Sequence, residues 1–264
     1  MLSYDQLKHF AEHGWVLLKG VLNQDQIEAY RRKMDECEAT YRPRQHTNKD
    51  SVLRYVEPLV VLDPLFRDWF TLPGILEADK QLAGAALTLK NSFGIITQPH
   101  PDRHTRAKEL LDPATSGWHR GMRPKWGTFP HDTDKQLVHC PYLNNFTYLT
   151  DVSPGDGGTR VLEGSHKLDG DYQSLKDRCS IYEVTAPAGS ILLFPETLMH
   201  TGVPIVSENT RYSMVYTFIP PWFSNFPEFE VPRRLWEAYE NEELRGILGG
   251  WRGSLNKELM HPQI

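Results

Sequence analysis

Cysteine is scarce in this chain. Cys37, Cys140 and Cys179 are the three thiols in 264 residues. An odd, scattered set without a Cys-x-x-Cys pair gives no disulfide framework and no zinc knuckle; it points to reduced packing thiols and a cytoplasmic home. Long apolar runs are missing too. None approaches the roughly 18 residues of a membrane span, and the start, Met1 to Lys8, has no apolar signal core. Basic charge is not in excess: 29 Lys and Arg stand against 34 Asp and Glu, for a net charge of −5 and a pI near 6.1. Such a chain carries no general field for a nucleic-acid polymer or a membrane. It also lacks a Gly-x-Ser-x-Gly elbow, a His-Glu-x-x-His helix, a P-loop and a dinucleotide glycine fingerprint. Those absences argue against hydrolase, zincin, ATPase and nicotinamide-enzyme chemistry. There is no internal repeat or low-complexity tract, and no pattern that assigns an oligomeric state.

What remains has the apolar and charged content of a globular protein, and residues 1–264 are expected to form a single domain. Helical signals come first. Ser3 with Gln6 is a capping box opening a helix at Tyr4, and Gly14 suits its end. Asn23 with Gln26 repeats the signal, and Ile27, Tyr30, Met34 and Cys37 fall at helical spacing. Asp63-Pro64 opens a short helix, and Ile75 to Leu82 reads as another. From Leu87 the pattern turns to strands: 87–96, 143–152, 160–162, 181–185, 190–194 and 211–219, with Pro154-Gly-Asp-Gly-Gly as a tight turn. Between them, Gln98 to Gly117 reads as a long proline-containing loop, a candidate lid. The tail from Pro232 is charged and mostly helical. Helices followed by many strands predict an α+β fold: a jelly-roll (double-stranded β-helix, cupin-like) core with N-terminal and C-terminal helices.

Two short segments carry the candidate chemistry. One is Ser116-Gly-Trp118-His119-Arg120-Gly121-Met-Arg123-Pro; the other is Leu198-Met-His200-Thr-Gly, with Arg211 eleven residues after that histidine. Two imidazoles on separate segments suit a non-haem iron(II) site, in which two histidines and one carboxylate hold one face of the metal. The carboxylate usually stands two residues after the first histidine. Here that position is Gly121, which has nothing to ligate with.

The run Gln6 to Leu22, the turn Thr150 to Gly158, Glu163-Gly-Ser-His-Lys and the His200 to Arg211 spacing together resemble the phytanoyl-CoA dioxygenase-like family, over roughly Leu2 to Pro221. The resemblance implies a jelly roll that uses Fe(II), 2-oxoglutarate and O2. It implies His119 and His200 as metal ligands and Arg211 as the partner of the 2-oxoglutarate distal carboxylate, a group that a guanidinium grips in a bidentate manner. The family's hydroxylases carry aspartate where this chain has Gly121. His-x-Gly instead resembles the iron/2-oxoglutarate halogenases, in which chloride takes the vacated coordination position and restores the missing negative charge.

Each of these readings has a plainer alternative. His119 and His200 could be structural histidines. A hydroxylase could draw its carboxylate from Asp102, Asp132 or Asp134, and a binding module could have kept the fold and lost turnover. Arg103, Arg106, Lys108, Arg120, Arg123 and Lys125 flank the site. They read either as a solvated face or as a recruiter of an anionic small molecule such as a nucleotide. Trp118, Arg120, Arg123 and Phe146 are the candidate substrate contacts.

Overall fold

A computed structural model describes residues 1–40, 52–84, 86–122, 140, 142–221, 223 and 230–249. The helices begin where the capping signals place them. In α1 (Tyr4–His13) the Ser3 hydroxyl accepts from the Gln6 N–H, and the Gln6 side chain accepts from the Ser3 N–H. Gly14 closes it at φ 88°, a left-handed turn that costs glycine nothing. In α2 (Gln24–Thr40) Asn23 and Gln26 exchange the same reciprocal bonds, each 2.9 Å. Ile27, Tyr30 and Met34 form its buried stripe, and Cys37 sits half-buried beside it. The Asp63 carboxylate caps a 3-10 helix, Pro64–Thr71, and α4 (Ile75–Ala83) follows the four-residue α3 (Leu59–Leu62).

Nine strands are described: β1 (Val16–Leu18), β2 (Leu53–Val56), β3 (Thr88–Thr97), β4 (Leu143–Tyr148), β5 (Thr159–Leu162), β6 (Ile181–Val184), β7 (Ile191–Pro195), β8 (His200–Gly202) and β9 (Arg211–Ile219). They form a six-stranded sheet in the order β1-β7-β4-β9-β3-β2 and a three-stranded sheet in the order β6-β5-β8. Every pairing is antiparallel. This is the expected α+β jelly-roll architecture.

The large sheet has two different faces, as period-two alternation requires. One is covered by helices: Trp69 stacks on Tyr216 at 4.2 Å and donates from its indole to Thr147, and Tyr216 donates to the Phe66 carbonyl. The other faces the small sheet. Tyr148, Leu192 and Phe194 from the large sheet pack there with Val161 and Val184 from the small one. A cavity opens beside that packing.

The segment 98–117 departs from its expected loop character. It contains α5 (Arg103–Leu110) and a 3-10 turn, Pro113–Thr115. No residue of α5 is buried, so there was no apolar stripe to read. Ion pairs hold it instead: Arg106 with Asp102 and Glu109, and Arg103 with Glu208. The three cysteines are unbridged. Among the described residues no helix is long and apolar enough to cross a membrane.

Candidate metal centre and cosubstrate pocket

His119 and His200 come together through the backbone. The His119 N–H donates to the His200 carbonyl and the His200 N–H to the His119 carbonyl, both at 3.0 Å, so the His119 segment adds to the free edge of β8. The ring centroids lie 4.5 Å apart. Each ring is oriented in the same manner: His119 Nδ1 is 2.9 Å from the Gly117 carbonyl and His200 Nδ1 is 2.8 Å from the Leu198 carbonyl. A carbonyl can only accept, so both Nδ1 atoms carry a proton, which leaves Nε2 as the nitrogen that can ligate in each neutral ring. Burial, with Phe194 against the ring at 4.7 Å, pushes the His200 pKa down and keeps the imidazole neutral. Two imidazoles brought to one spot, each with its outer hydrogen bond already in place, suit a metal ion.

Gly121 lies against Glu196, the residue that follows β7. Its N–H donates to Glu196 Oε2 at 2.9 Å. A Cβ at residue 121 would stand 2.9 Å from Cδ and 3.0 Å from Oε2 of Glu196. The Glu196 carboxylate therefore fills the space that an aspartate side chain at 121 would need. Its charge is felt at His200, where it partly offsets the effect of burial. In this arrangement no group of three His, Cys, Asp or Glu side chains among the described residues converges to hold a metal. The sequence reading missed Glu196. The signal was present: a lone acid four residues before His200, directly after the all-apolar strand β7.

Arg211 opens β9, paired with Thr97 on β3. Its side chain is 5% exposed, yet Nε and Nη1 meet no hydrogen-bond partner among the described residues; Nη2 donates weakly to Thr97 Oγ1 at 3.3 Å. Burial lowers its pKa, against the opposing influence of Tyr148 and Tyr55. Gly157, at φ 75°, passes close enough that a Cβ would lie 3.4 Å from Nη1. The turn carrying Gly157 is tied down by Asp156, which accepts from the Ser153 N–H, Ser207 and Asn209. Burial alone would raise the Asp156 pKa, but these bonds prevail and hold it below the usual range. A buried guanidinium without an anion fits a carboxylate ligand.

His119, His200, Glu196 and Arg211 all line one cavity of about 390 Å³. Phe93, Phe146 and Phe194 give it apolar walls, and His100 and Asn144 bring polar groups. Asn144 Oδ1 accepts from Thr217, which leaves its NH2 group for the cavity.

Other sequence candidates lie elsewhere. Phe146 does line the cavity, but Trp118 does not: its indole donates to the Pro113 carbonyl at 2.8 Å, and the ring stacks on Tyr172 at 5.0 Å. Arg120 points away as well, donating to the Ser165 and Leu168 carbonyls. Asp102 is a half-exposed partner of Arg106 and lies outside the cavity lining. Arg103 and Arg106 are neutralised by their ion pairs rather than turned to the cavity. Arg123, Lys125, Asp132 and Asp134 lie outside the described residues.

The sequence model of the family described as phytanoyl-CoA dioxygenase (PhyH) matches residues 10–213. Dioxygenase af480 of Aspergillus fumigatus is 22% identical over 229 residues, 81% of this chain and 65% of that protein. Dioxygenase trt7 of Aspergillus terreus is 30% identical over 125 residues, 47% of this chain and 41% of that protein. The chain thus spans less than two thirds of either relative. Among solved structures, HygX from Streptomyces hygroscopicus with nickel and 2-oxoglutarate bound superimposes with a TM-score of 0.66 at 19% identity, covering 87% of this chain and 91% of that one. SnoK, a non-haem α-ketoglutarate-dependent carbocyclase from nogalamycin biosynthesis, gives a TM-score of 0.64 at 19% identity, covering 83% and 84%. These structures share the jelly-roll fold, and the match across residues 10–213 is the finding that places this chain in the phytanoyl-CoA dioxygenase family.

Proposed function

We propose that the protein is an Fe(II)- and 2-oxoglutarate-dependent halogenase that replaces an unactivated aliphatic C–H of a free small molecule with C–Cl. Its cosubstrates are 2-oxoglutarate, O2 and chloride; its by-products are succinate and carbon dioxide. His119 and His200 hold the iron through Nε2, and Arg211 grips the distal carboxylate of 2-oxoglutarate. Bound iron supplies oxygen activation. The chain's own residues orient the cosubstrate and keep the walls of the cavity dry and apolar around the reacting carbon.

One observation carries the reading. Residue 121 offers no side chain, yet its N–H points at an anion, the Glu196 carboxylate. An anion position beside two imidazoles, on a segment with no carboxylate of its own, suits a halide ligand. The substrate we propose is a small molecule with a flat or apolar body that rests on Phe93 and Phe146. An anionic metabolite such as a nucleotide belongs to that class.

A second reading is favoured by the same carboxylate. If Glu196 turned from Gly121 to the metal, it would complete a two-histidine, one-carboxylate set, and the enzyme would hydroxylate or otherwise oxidise its substrate. The two readings separate in one assay. Protein, iron(II), 2-oxoglutarate and O2 are incubated with nucleotides and amino acids, with and without chloride. Products are then read by mass. The halogenase reading expects products with the chlorine isotope pattern that vanish without chloride. A hydroxylated product formed equally well in both conditions overturns it.

A further inference from the structure

We infer that Glu196 is a built-in competitor for the halide position: its carboxylate occupies the anion site beside Gly121, and a halide binds only when that side chain swings away. The inference rests on the halogenase reading and says what regulates it.

Three observations support it. First, the overlap is steric. The Gly121 N–H is a single donor, and Glu196 Oε2 takes it at 2.9 Å, inside the volume where a residue-121 side chain would sit. A halide brought to the same donor would collide with the carboxylate. Second, the overlap is electrostatic. Two anions at van der Waals distance repel strongly in a cavity walled by Phe93, Phe146 and Phe194. Third, the backbone of Glu196 is fixed, while among the described residues a single hydrogen bond holds its side chain. The Glu196 N–H donates to the Tyr142 carbonyl at 2.8 Å, and the Glu196 carbonyl accepts from the Met122 N–H at 3.3 Å. Among the described residues the carboxylate has no cationic partner within ion-pair distance, and the Gly121 amide is its hydrogen-bond donor. This single bond from an amide to a carboxylate is worth roughly ten- to a hundred-fold in population, a tether the side chain can leave without disturbing β7. Its departure would leave the Gly121 N–H to the incoming anion.

This arrangement would hold the halide affinity below what the iron centre alone allows. It would make chlorination depend on chloride concentration, with Glu196 setting the midpoint.

The test compares wild type, Glu196→Gln and Glu196→Ala, each loaded anaerobically with iron(II) and 2-oxoglutarate. Sodium chloride is titrated while the visible charge-transfer band is followed. Both variants remove the charge; the alanine variant also removes the bulk, so either one carries the test if the other fails to fold. The expected result is a chloride dissociation constant at least tenfold lower in the variants, with iron(II) affinity changed by less than a few-fold. Equal chloride affinity in wild type and variants overturns the inference and leaves the halogenase reading standing. No response to chloride in any of the three overturns both. Loss of iron(II) binding in the variants, with no chloride response, makes Glu196 a metal ligand and favours the oxygenase reading.

Discussion

Replacing Arg211 by methionine should separate stability from function. The residue is 5% exposed, its Nε and Nη1 meet no partner among the described residues, and burial already lowers its pKa. Removing a charge of this kind in favour of an apolar chain of similar length is typically neutral or stabilising by about 1–4 kcal/mol. In a protein of this size each kcal/mol moves the melting temperature by about 2–4 °C, so the variant without 2-oxoglutarate should melt level with wild type or a few degrees above it. The cosubstrate should tell the opposite story. Losing one member of a desolvated, hydrogen-bonded charge pair costs about 2–5 kcal/mol, or roughly 30-fold to a few thousand-fold in 2-oxoglutarate affinity. Wild type at 100 times its dissociation constant gains about 2.7 kcal/mol from the ligand; the variant at the same concentration should gain less than about 1 kcal/mol. The assay is thermal unfolding with and without 2-oxoglutarate, in anaerobic iron(II). A variant that melts well below wild type without ligand, yet keeps the full ligand-induced rise, would refute the reasoning. Arg211 would then be a structural cation with a partner of its own.

Three further outcomes follow from the geometry. Gly121→Asp places its Cβ against the Glu196 carboxyl, 2.9 Å from Cδ, so Glu196 must rotate out; iron(II) binding without halide should strengthen, by calorimetry, and chlorination should disappear. Chlorination undiminished in Gly121→Asp would remove residue 121 from the halide site. Asp79 on α4 is fully buried, and desolvation raises its pKa well above the usual carboxylate range despite the help of Asn145. The folded protein therefore holds this proton where the unfolded chain releases it, and stability falls as pH rises above about 4. Asp79→Asn should be more stable than wild type at about pH 7, with the gain shrinking toward about pH 4; a gain independent of pH in urea unfolding would contradict this. Trp118→Phe keeps a ring to stack on Tyr172 but loses the indole bond to the Pro113 carbonyl, and should cost about 1 kcal/mol in urea unfolding. A variant as stable as wild type would show that this bond contributes nothing.

The local signals in the chain were the reliable ones. Reciprocal capping at Ser3 and Gln6, and again at Asn23 and Gln26, lies where three-residue spacing put it. Strand β9 runs from Arg211 to Ile219 as the alternation indicated. The bringing together of His119 and His200 was legible from their neighbours, and paired backbone bonds join them. Three features were not legible, each for a physical reason. Helix α5 has no buried face and is held by ion pairs, so periodicity could not reveal it. Trp118 and Arg120 sit beside His119 in sequence but turn to Tyr172 and to the Ser165 and Leu168 carbonyls, because neighbouring residues on an extended segment point to opposite sides. The contact of Glu196 with Gly121, as distinct from the presence of an acid near His200, joins residues remote along the chain and exists only because the His119 segment pairs with Glu196 and with β8.

The central claim is an iron(II) and 2-oxoglutarate centre built on His119, His200 and Arg211. Anaerobic titration of the purified protein with iron(II) and then 2-oxoglutarate tests it most directly. The account predicts a visible metal-to-ligand band that saturates at one equivalent of each and is lost in His119→Ala and in His200→Ala. No band in wild type, or an undiminished band in both histidine variants, would contradict it.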